Sequence, residues 1–322
     1  MTELSTLPGL GTLDAPRPAE ERNRWLQRSP SPRLMLFSGR SHPELATRIA
    51  EELEIGLGEV ELKTFANGET YCRYLESIRG ADVFIVQSAA GLRTNDHLFE
   101  LLEMIDAAKL ASAHRITAVL PWFPYSRQDK KSAPREPITA KLIAELLQTA
   151  GIDRVLTMDL HAGQIQGFFT VPVDHMTALK LFAQHFHDQG LWGEGIVSVS
   201  PDPGRAKMAR KFGELLNGEL AILNKTRPTH DVADVTEVIG RVRGKIAVMS
   251  DDMVVTGGTL LAGARALKEA GATAVYACAT HGLFPDGALQ RLAESDIEQI
   301  VVTDTVPIDP LNRPEKLRVL TV

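Results

Sequence analysis

The chain of 322 residues is predicted to be an α/β protein with mainly parallel sheets flanked by helices. Short apolar runs alternate with stretches whose apolar residues recur at helical spacing, as in "DVFIVQS" followed by "NDHLFELLEMIDAAKLASA". This alternation occurs twice, which predicts two such domains, at 34–178 and 179–322. Polar residues follow the predicted strands, and ligands bind at the carboxyl ends of parallel strands. The pattern therefore favours a catalytic protein.

The first predicted domain begins with "RLMLFSG", a short apolar run that ends in a turn. Its further strands are "DVFIVQS", "RITAVLPWF" and "RVLTMDLH". The three helices between them are "HPELATRIAEELEI", "NDHLFELLEMIDAAKLASA" and "ITAKLIAELLQTAG". Asn95 is the expected N-cap of the second helix, and Gly151 is expected to end the third.

The second predicted domain repeats this order. Its helices are expected at "LKLFAQHFHDQG", "GRAKMARKFGELL" and "TLLAGARALKEAG". Its strands are expected at "GIVSVSPD", "LAILNK", "KIAVMSDD", "AVYACATHG" and "QIVVTDT". Residues 1–33 differ from both domains because they hold five of the chain's 18 prolines, and we expect a flexible extension with a short helix near Ala19–Gln27.

Composition excludes several classes of function. With 44% hydrophobic and 24% charged residues the chain has the profile of a globular protein, and a net charge of −6 predicts neither a nucleic-acid partner nor an anionic membrane partner. No run approaches the about 18 apolar residues of a membrane span. Two distant cysteines match no metal-binding spacing, and no segment has the pattern of a signal or transit peptide, so we expect a reducing, cytoplasmic compartment.

The stretch "IAVMSDDMVVTGGTL" carries the clearest candidate site. An apolar strand leads to two carboxylates, Asp251 and Asp252, and a glycine turn, Thr256–Thr259, precedes a helix. Glycines let backbone N–H groups converge on an anion, and the helix N-terminus adds a positive dipole. Carboxylates accept hydrogen bonds from vicinal hydroxyls, so the loop suits a sugar phosphate. The alternative is a helix-capping turn beside a surface acid pair.

Other strand ends add charged candidates. Arg127 follows the third strand in a basic loop suited to polyphosphate. His161 follows the fourth strand, and Asp202 follows a strand of the second domain; both side chains are candidates for a metal. Lys225 and Arg227 would face one side of an extended segment, as needed to neutralise a phosphoryl-transfer transition state. Each could instead be structural or lie in a solvated loop, but together they predict Mg²⁺-nucleotide chemistry on a sugar phosphate.

Several of these segments resemble ribose-phosphate pyrophosphokinases, the phosphoribosyl pyrophosphate synthetases. The resemblance extends from about Leu34 to about Pro307 and is densest from Asn95 to His175. Its motifs are "FANGE", "WFPYSRQDKK", "REPITAKLIAELL", "GIDRVLTMDLHAGQIQGFFTVPVDH", "VSPDPG" and "DDMVVTGGTL". It implies two phosphoribosyltransferase-like domains, assembly into homo-oligomers (hexamers in the family), and transfer of the β,γ-diphosphoryl group of MgATP to ribose 5-phosphate.

The resemblance also implies residue roles. The ATP site would comprise Phe65, Asn67 and Glu69, which hold adenine across a subunit interface, with Arg127 and Gln128. His161 and Asp202 would be associated with Mg²⁺, and Lys225 and Arg227 would be catalytic. The ribose 5-phosphate site would comprise Asp251, Asp252, Val255, Thr256, Gly257, Gly258 and Thr259. Ser77 and Arg79 match part of a regulatory phosphate and ADP site.

The chain departs from the family pattern at several positions. Val255 stands where the family commonly has an aspartate that contacts the sugar, Arg205 stands where it often has a glycine, and Thr226 stands where it often has an arginine. The sequence also ends before a serine-containing tail that helps to form the family's regulatory site, so the resemblance does not extend to control by phosphate and ADP. Two alternatives stay open: a non-catalytic paralogue that assembles with an active synthetase, and a phosphoribosyltransferase, which would not need "RQDKK" or "FANGE".

Overall fold

Two mainly parallel sheets organise the segment Leu34–Val322, which forms one compact unit. The computed structural model describes residues 32–226, 235–285 and 287–322. The predicted helix near Ala19–Gln27 and the candidate Arg227 lie outside these residues. An α/β fold with helices flanking parallel sheets is confirmed, whereas the division of the unit at 178/179 stays a prediction.

The first sheet has five strands, all parallel, in the order β1-β4-β5-β6-β7. Its strands are β1 (Leu34–Ser38), β4 (Asp82–Val86), β5 (Arg115–Leu120), β6 (Arg154–Met158) and β7 (Val173–Met176). The helices that connect them are α1 (Pro43–Glu52), α2 (Thr94–Leu110) and α3 (Thr139–Ala150). A separate antiparallel hairpin is formed by β2 (Val60–Thr64) and β3 (Thr70–Tyr74).

The second sheet has seven strands in the order β10-β9-β8-β11-β12-β13-β14, and only β10 is antiparallel to its neighbour. They are β8 (Ile196–Ser200), β9 (Glu219–Thr226), β10 (Val235–Ile239), β11 (Ile246–Val254), β12 (Ala274–Gly282), β13 (Gln299–Thr303) and β14 (Leu317–Leu320). The helices are α4 (Leu179–Asp188), α5 (Ala206–Leu215), α6 (Gly258–Glu269) and α7 (Ala288–Ala293). Within the described ranges, no helix is long and apolar enough to cross a membrane.

The differences from the predicted elements are local. The β2–β3 hairpin, β7, β10, β14 and α7 are additions to them, and β11 continues through Asp251 and Asp252 to Val254. Helix α2 begins at Thr94, so the predicted N-cap Asn95 lies inside its first turn; the capping position is Arg93, which makes no side-chain cap. Gly151 ends α3 at a φ of 122°, as expected for a glycine.

A buried polar network joins the end of β6 to β12 and so fixes the strand ends beside the site. The Asp159 carboxylate accepts from the Thr280 hydroxyl at 2.6 Å and from the Ala178 amide at 2.8 Å. Nε2 of His281 lies 3.2 Å from the Met158 carbonyl oxygen. Burial lowers the pKa of His281, although the Asp159 charge opposes the change, so a neutral ring donates from Nε2 to the carbonyl group.

Candidate active site

A cavity of about 330 Å³ lies where strand β11 ends and helix α6 begins. It also reaches the loops that follow β6 and β8, as expected for a ligand site in an α/β fold. The structure brings most of the sequence-predicted residues to this one place: Arg127, His161, Asp202, Asp251, Asp252, Val255, Thr256, Gly257, Gly258 and Thr259. Their assembly is the main structural support for a functional site.

The acid pair Asp251 and Asp252 lies within β11, whereas the sequence pattern places the pair at the end of the strand. Only 17% of the Asp251 side chain and 3% of the Asp252 side chain are exposed. Burial, together with a hydrogen bond to Asp252 and the charge of Asp252, raises the pKa of Asp251 to about 8. At neutral pH the pair therefore holds one proton, mainly on Asp251.

Asp252 keeps its negative charge because it has two cationic or hydrogen-bonding partners. Its Oδ2 lies 2.8 Å from Nδ1 of His161, and its Oδ1 lies 2.8 Å from Nη2 of Arg205. Burial acts to raise the pKa of Asp252, but the contact with His161, the bond with Asp251 and the charge of Arg205 together lower it. The pair thus offers one anionic and one protonated carboxyl group to a ligand.

The metal candidates His161 and Asp202 both line the cavity. Asp202 Oδ1 accepts from the Arg205 amide at 3.1 Å and caps the short 3-10 helix Pro203–Arg205. Carboxylate oxygens are the ligands that Mg²⁺ prefers, so the donors that line the cavity fit this ion. Within residues 32–226, 235–285 and 287–322, no three acidic, histidine or cysteine side chains form a metal cage. Mg²⁺ commonly keeps water and phosphate ligands besides carboxylates.

The glycine turn has the geometry of an anion-binding helix start. Gly257 is the N-cap of α6 with a φ of +79°, and Gly258 and Thr259 already belong to the first turn of the helix. A Cβ atom at Gly257 would lie 2.9 Å from the Leu292 side chain, so both backbone conformation and space require glycine there. The amide groups of the first helical turn lack intrahelical acceptors and can bind a phosphate.

The two valines of the loop have different surroundings. Val254 is only 2% exposed and packs in the core beneath the second sheet, as predicted. Val255 is partly buried and packs on a small apolar cluster that includes Trp122, Met253 and Val306. Val255 therefore has a packing role, and it also lines the cavity without a polar group to offer a sugar.

Other predicted ATP residues lie apart from the cavity lining. Phe65, Asn67 and Glu69 form the tip of the β2–β3 hairpin, where the Phe65 amide donates to the Glu69 carbonyl oxygen at 2.8 Å. The Phe65 side chain is 47% exposed and its ring meets Tyr71 edge-on. Gln128, another predicted ATP residue, directly follows Arg127 of the cavity lining in the sequence. Its side-chain oxygen accepts a hydrogen bond from a threonine hydroxyl at the start of α3 at 2.5 Å.

The two regulatory candidates, Ser77 and Arg79, are also outside the cavity lining. Ser77 and Arg79 lie exposed on the turn between β3 and β4. Lys225 is the second-last residue of β9, the strand that pairs with β8. Arg227 lies outside the described part of the chain. The backbone thus brings Lys225 to the same carboxyl-end edge of the sheet as Asp202.

Sequence reasoning does not assign Arg205 to the site. Its side chain is 16% exposed, and its guanidinium group contacts Asp252, Asp251 and His161, which all belong to the predicted set. The available signal is its position, since it follows Asp202 by three residues at a strand end. In the sequence, Arg205 is notable only because it stands where the resembling family often has a glycine.

Comparisons with known proteins show which family this chain is similar to. The family model described as the N-terminal domain of ribose phosphate pyrophosphokinase matches residues 34–151, and the phosphoribosyl synthetase-associated domain matches residues 223–322. The ribose-phosphate pyrophosphokinase of Fusobacterium nucleatum is 48% identical over 287 residues, 89% of this chain and 90% of the relative. That of Caldanaerobacter subterraneus subsp. tengcongensis is 49% identical over 289 residues, 90% of this chain and 91% of the relative.

A solved structure extends the likeness to three dimensions. The phosphoribosylpyrophosphate synthetase from Mycobacterium smegmatis superposes with a TM-score of 0.83 at 47% identity. The match covers 90% of this chain and 94% of that protein. Sequence and fold therefore point to one family over most of the chain.

Proposed function

The chain belongs to the ribose-phosphate pyrophosphokinase family, and we propose that it transfers the β,γ-diphosphoryl group of MgATP to the C1 hydroxyl of ribose 5-phosphate. The products are AMP and phosphoribosyl pyrophosphate. The observation that carries this proposal is the joint placement of the acid pair, the glycine turn and Arg127 around one cavity. A phosphate, a sugar and a polyphosphate can be held there side by side.

Ribose 5-phosphate binds between the helix start and the acid pair. The amide groups of the turn Thr256–Thr259 hold the 5-phosphate, because they lie at the positive end of α6. Asp252 accepts hydrogen bonds from the ring hydroxyls as an anion. Asp251, protonated at neutral pH, can donate one as well as accept.

When bound with ATP, Mg²⁺ would supply positive charge that neutralises the phosphates. Asp202 and His161 are the residues of this chain that would hold it, and Arg127 and Gln128 contact the phosphates and nucleotide. Lys225 and Arg227 stabilise the charge that develops on the transferring group. The cysteines of the described chain, Cys72 and Cys278, are free, which supports a reducing, cytoplasmic setting.

The hairpin tip supplies the adenine site of a neighbouring subunit. Phe65 presents an exposed aromatic face, and Asn67 and Glu69 present polar groups outside the cavity of their own chain. A homo-oligomer, a hexamer on the family pattern, would place this tip beside the Arg127 of another copy. Ser77 and Arg79 contribute to a regulatory anion site on the same assembly.

The test is ribose-dependent AMP formation from ATP with Mg²⁺ over a range of phosphate concentrations. Lys225→Ala should retain the wild-type circular dichroism spectrum and lose about 100-fold in kcat, since one transition-state donor contributes roughly 3 kcal/mol. Lys211→Ala, an exposed change on α5, is the matched control. An inactive wild-type chain would refute the activity, and an active Lys225→Ala variant would refute that residue's role.

The packing of Val255 favours a second candidate function. A loop that lacks the family's common hydroxyl acceptor suits a non-catalytic paralogue that assembles with, and modulates, an active synthetase. Such a chain would co-purify with a catalytic partner and alter the partner's turnover while showing none alone. Full turnover by a homo-oligomer of this chain would eliminate this candidate.

A further inference from the structure

Arg205 makes an unusual set of contacts with the residues that we assign to ligands. Its Nη2 lies 2.8 Å from Asp252 Oδ1, and its Nε lies 3.7 Å from Asp251 Oδ1. Its Nη1 donates to the His161 carbonyl oxygen at 2.7 Å, and its own amide donates to Asp202. One arginine thus spans the two carboxylates of the proposed sugar site and the two proposed metal residues.

These contacts compete for one nitrogen atom. Nδ1 of His161 lies 2.6 Å from Nη2 of Arg205 and 2.8 Å from Oδ2 of Asp252. Arginine can only donate and a carboxylate can only accept, so Nδ1 cannot satisfy both partners in one protonation state. If Nδ1 is a bare acceptor it faces the carboxylate unfavourably, and if it carries a proton it faces the guanidinium group unfavourably. Departure of Arg205 removes this conflict.

We propose that Arg205 is a positioning residue that serves as an intramolecular counter-cation: it neutralises the single negative charge of the Asp251–Asp252 pair in the free protein and is exchanged for the divalent cation that accompanies substrate. This inference deepens the proposed function and rests on it for the identity of the ion. Arg205 suits the role because it is held by one strand-end loop and faces β11, so rotation of its side chain alone releases the carboxylates. His161 Nδ1 is then free to donate to Asp252.

The proposal predicts that Arg205 opposes metal binding before substrate arrives. Removing a positive charge from the neighbourhood of a divalent ion should tighten its binding roughly tenfold at a partly solvated site. The test measures Mn²⁺ binding to the full-length protein from the electron paramagnetic resonance signal of free Mn²⁺, without ATP or sugar. Arg205→Gln, which removes the charge and keeps a polar side chain, should bind Mn²⁺ roughly tenfold more tightly than wild type.

Two variants serve as controls. Arg205→Lys keeps a cation and should restore near wild-type Mn²⁺ affinity, which a purely structural role would not predict. Arg210→Gln, an exposed charge removal on the helix that follows, should leave Mn²⁺ binding unchanged. Equal or weaker Mn²⁺ binding by a folded Arg205→Gln variant would overturn the proposal. Because no turnover is measured, this outcome is distinct from failure of the proposed reaction.

A measurement on the wild-type chain covers the case in which Arg205→Gln does not fold. The side-chain Nε–H resonance of Arg205, assigned by its loss in Arg205→Lys, should shift on addition of Mg²⁺ as the ion pair with Asp252 breaks. A resonance that stays in place while Mg²⁺ saturates the protein would overturn the exchange.

Discussion

Replacing Asp251 by asparagine should make the protein's stability less dependent on pH. The folded protein holds the Asp251 proton to about pH 8, because the side chain is buried beside Asp252, whereas the ordinary pKa is 3.8. Because the folded state binds this proton more tightly than the unfolded state, protonation adds to the free energy of unfolding. This contribution is fully present below about pH 4 and is lost as pH rises through 8. At about 1.4 kcal/mol for each pH unit, the loss between pH 5 and 9 is on the order of 4 kcal/mol.

The Asp251→Asn variant would keep the shape of the buried side chain without a titrating proton. The new amide oxygen can still accept from the Asp252 backbone amide, a bond of 2.8 Å in the wild type, and the new NH₂ group can donate to the Asp252 carboxylate. The variant should therefore gain stability relative to wild type as pH rises from 5 to 9. Urea unfolding followed by circular dichroism, at fixed protomer concentration and with chelator present, measures this difference.

Asp296→Asn is the control, since Asp296 is exposed and lies in the loop between α7 and β13, outside the cavity lining. Its difference from wild type should stay nearly constant between pH 5 and 9. A constant difference for Asp251→Asn as well would show that Asp251 ionises normally. A difference that shrinks toward high pH would contradict the sign of the argument.

Three further changes test the loop and its support. Gly257→Ala should lower the free energy of unfolding by about 1–3 kcal/mol, because Gly257 has a positive φ. The control Gly258→Ala should change it by less than about 1 kcal/mol, and equal losses in the two variants would contradict this reasoning. Val255→Asp should lower the KM for ribose 5-phosphate roughly three- to tenfold and lower the melting temperature, and an unchanged KM would mean another acceptor exists. Thr280→Val should lower the free energy of unfolding by about 1–3 kcal/mol, because it removes one of the two hydrogen bonds to the Asp159 carboxylate; Thr280→Ser, which retains the bond, is the control in urea unfolding.

The elements that the sequence predicts are those with strong apolar periodicity. Strand β8 is buried along its whole length, and a continuous apolar run marks such a strand. By contrast, β2 and β3 are half-exposed and mix charged with apolar residues. Each strand is therefore stabilised by its pairing with the other and by contact with α2 more than by its own sequence pattern. The four-residue strands β7 and β14 exist because a neighbouring strand offers free hydrogen-bonding groups, which no local pattern reveals.

The candidate site is largely predictable for a different reason. Parallel strands place their carboxyl ends at one edge, so polar residues that follow separate strands meet there whatever the details of packing. The contacts between those residues are not predictable. The contact of Arg205 with His161 joins loops 44 residues apart, and its geometry depends on how β6 and β8 are placed. The charge state of Asp251 likewise depends on burial that only the fold reveals.

The end of β11 serves both core and site. Val254 packs in the core with Ala247 and Met249, while Asp251 and Asp252 line the cavity. Met253 and Val255 pack in a separate apolar cluster with Trp122. An acidic residue at position 255 would have to leave that cluster or carry a charge into it.

The valine at position 255 thus packs with Met253 and offers no hydroxyl acceptor. In the proposed sugar site, recognition would therefore depend more heavily on Asp251 and Asp252. Both of these carboxyl groups face the guanidinium group of Arg205 in the free protein. Under the proposed exchange, the lack of an acceptor at position 255 would therefore increase the control that Arg205 exerts over these two.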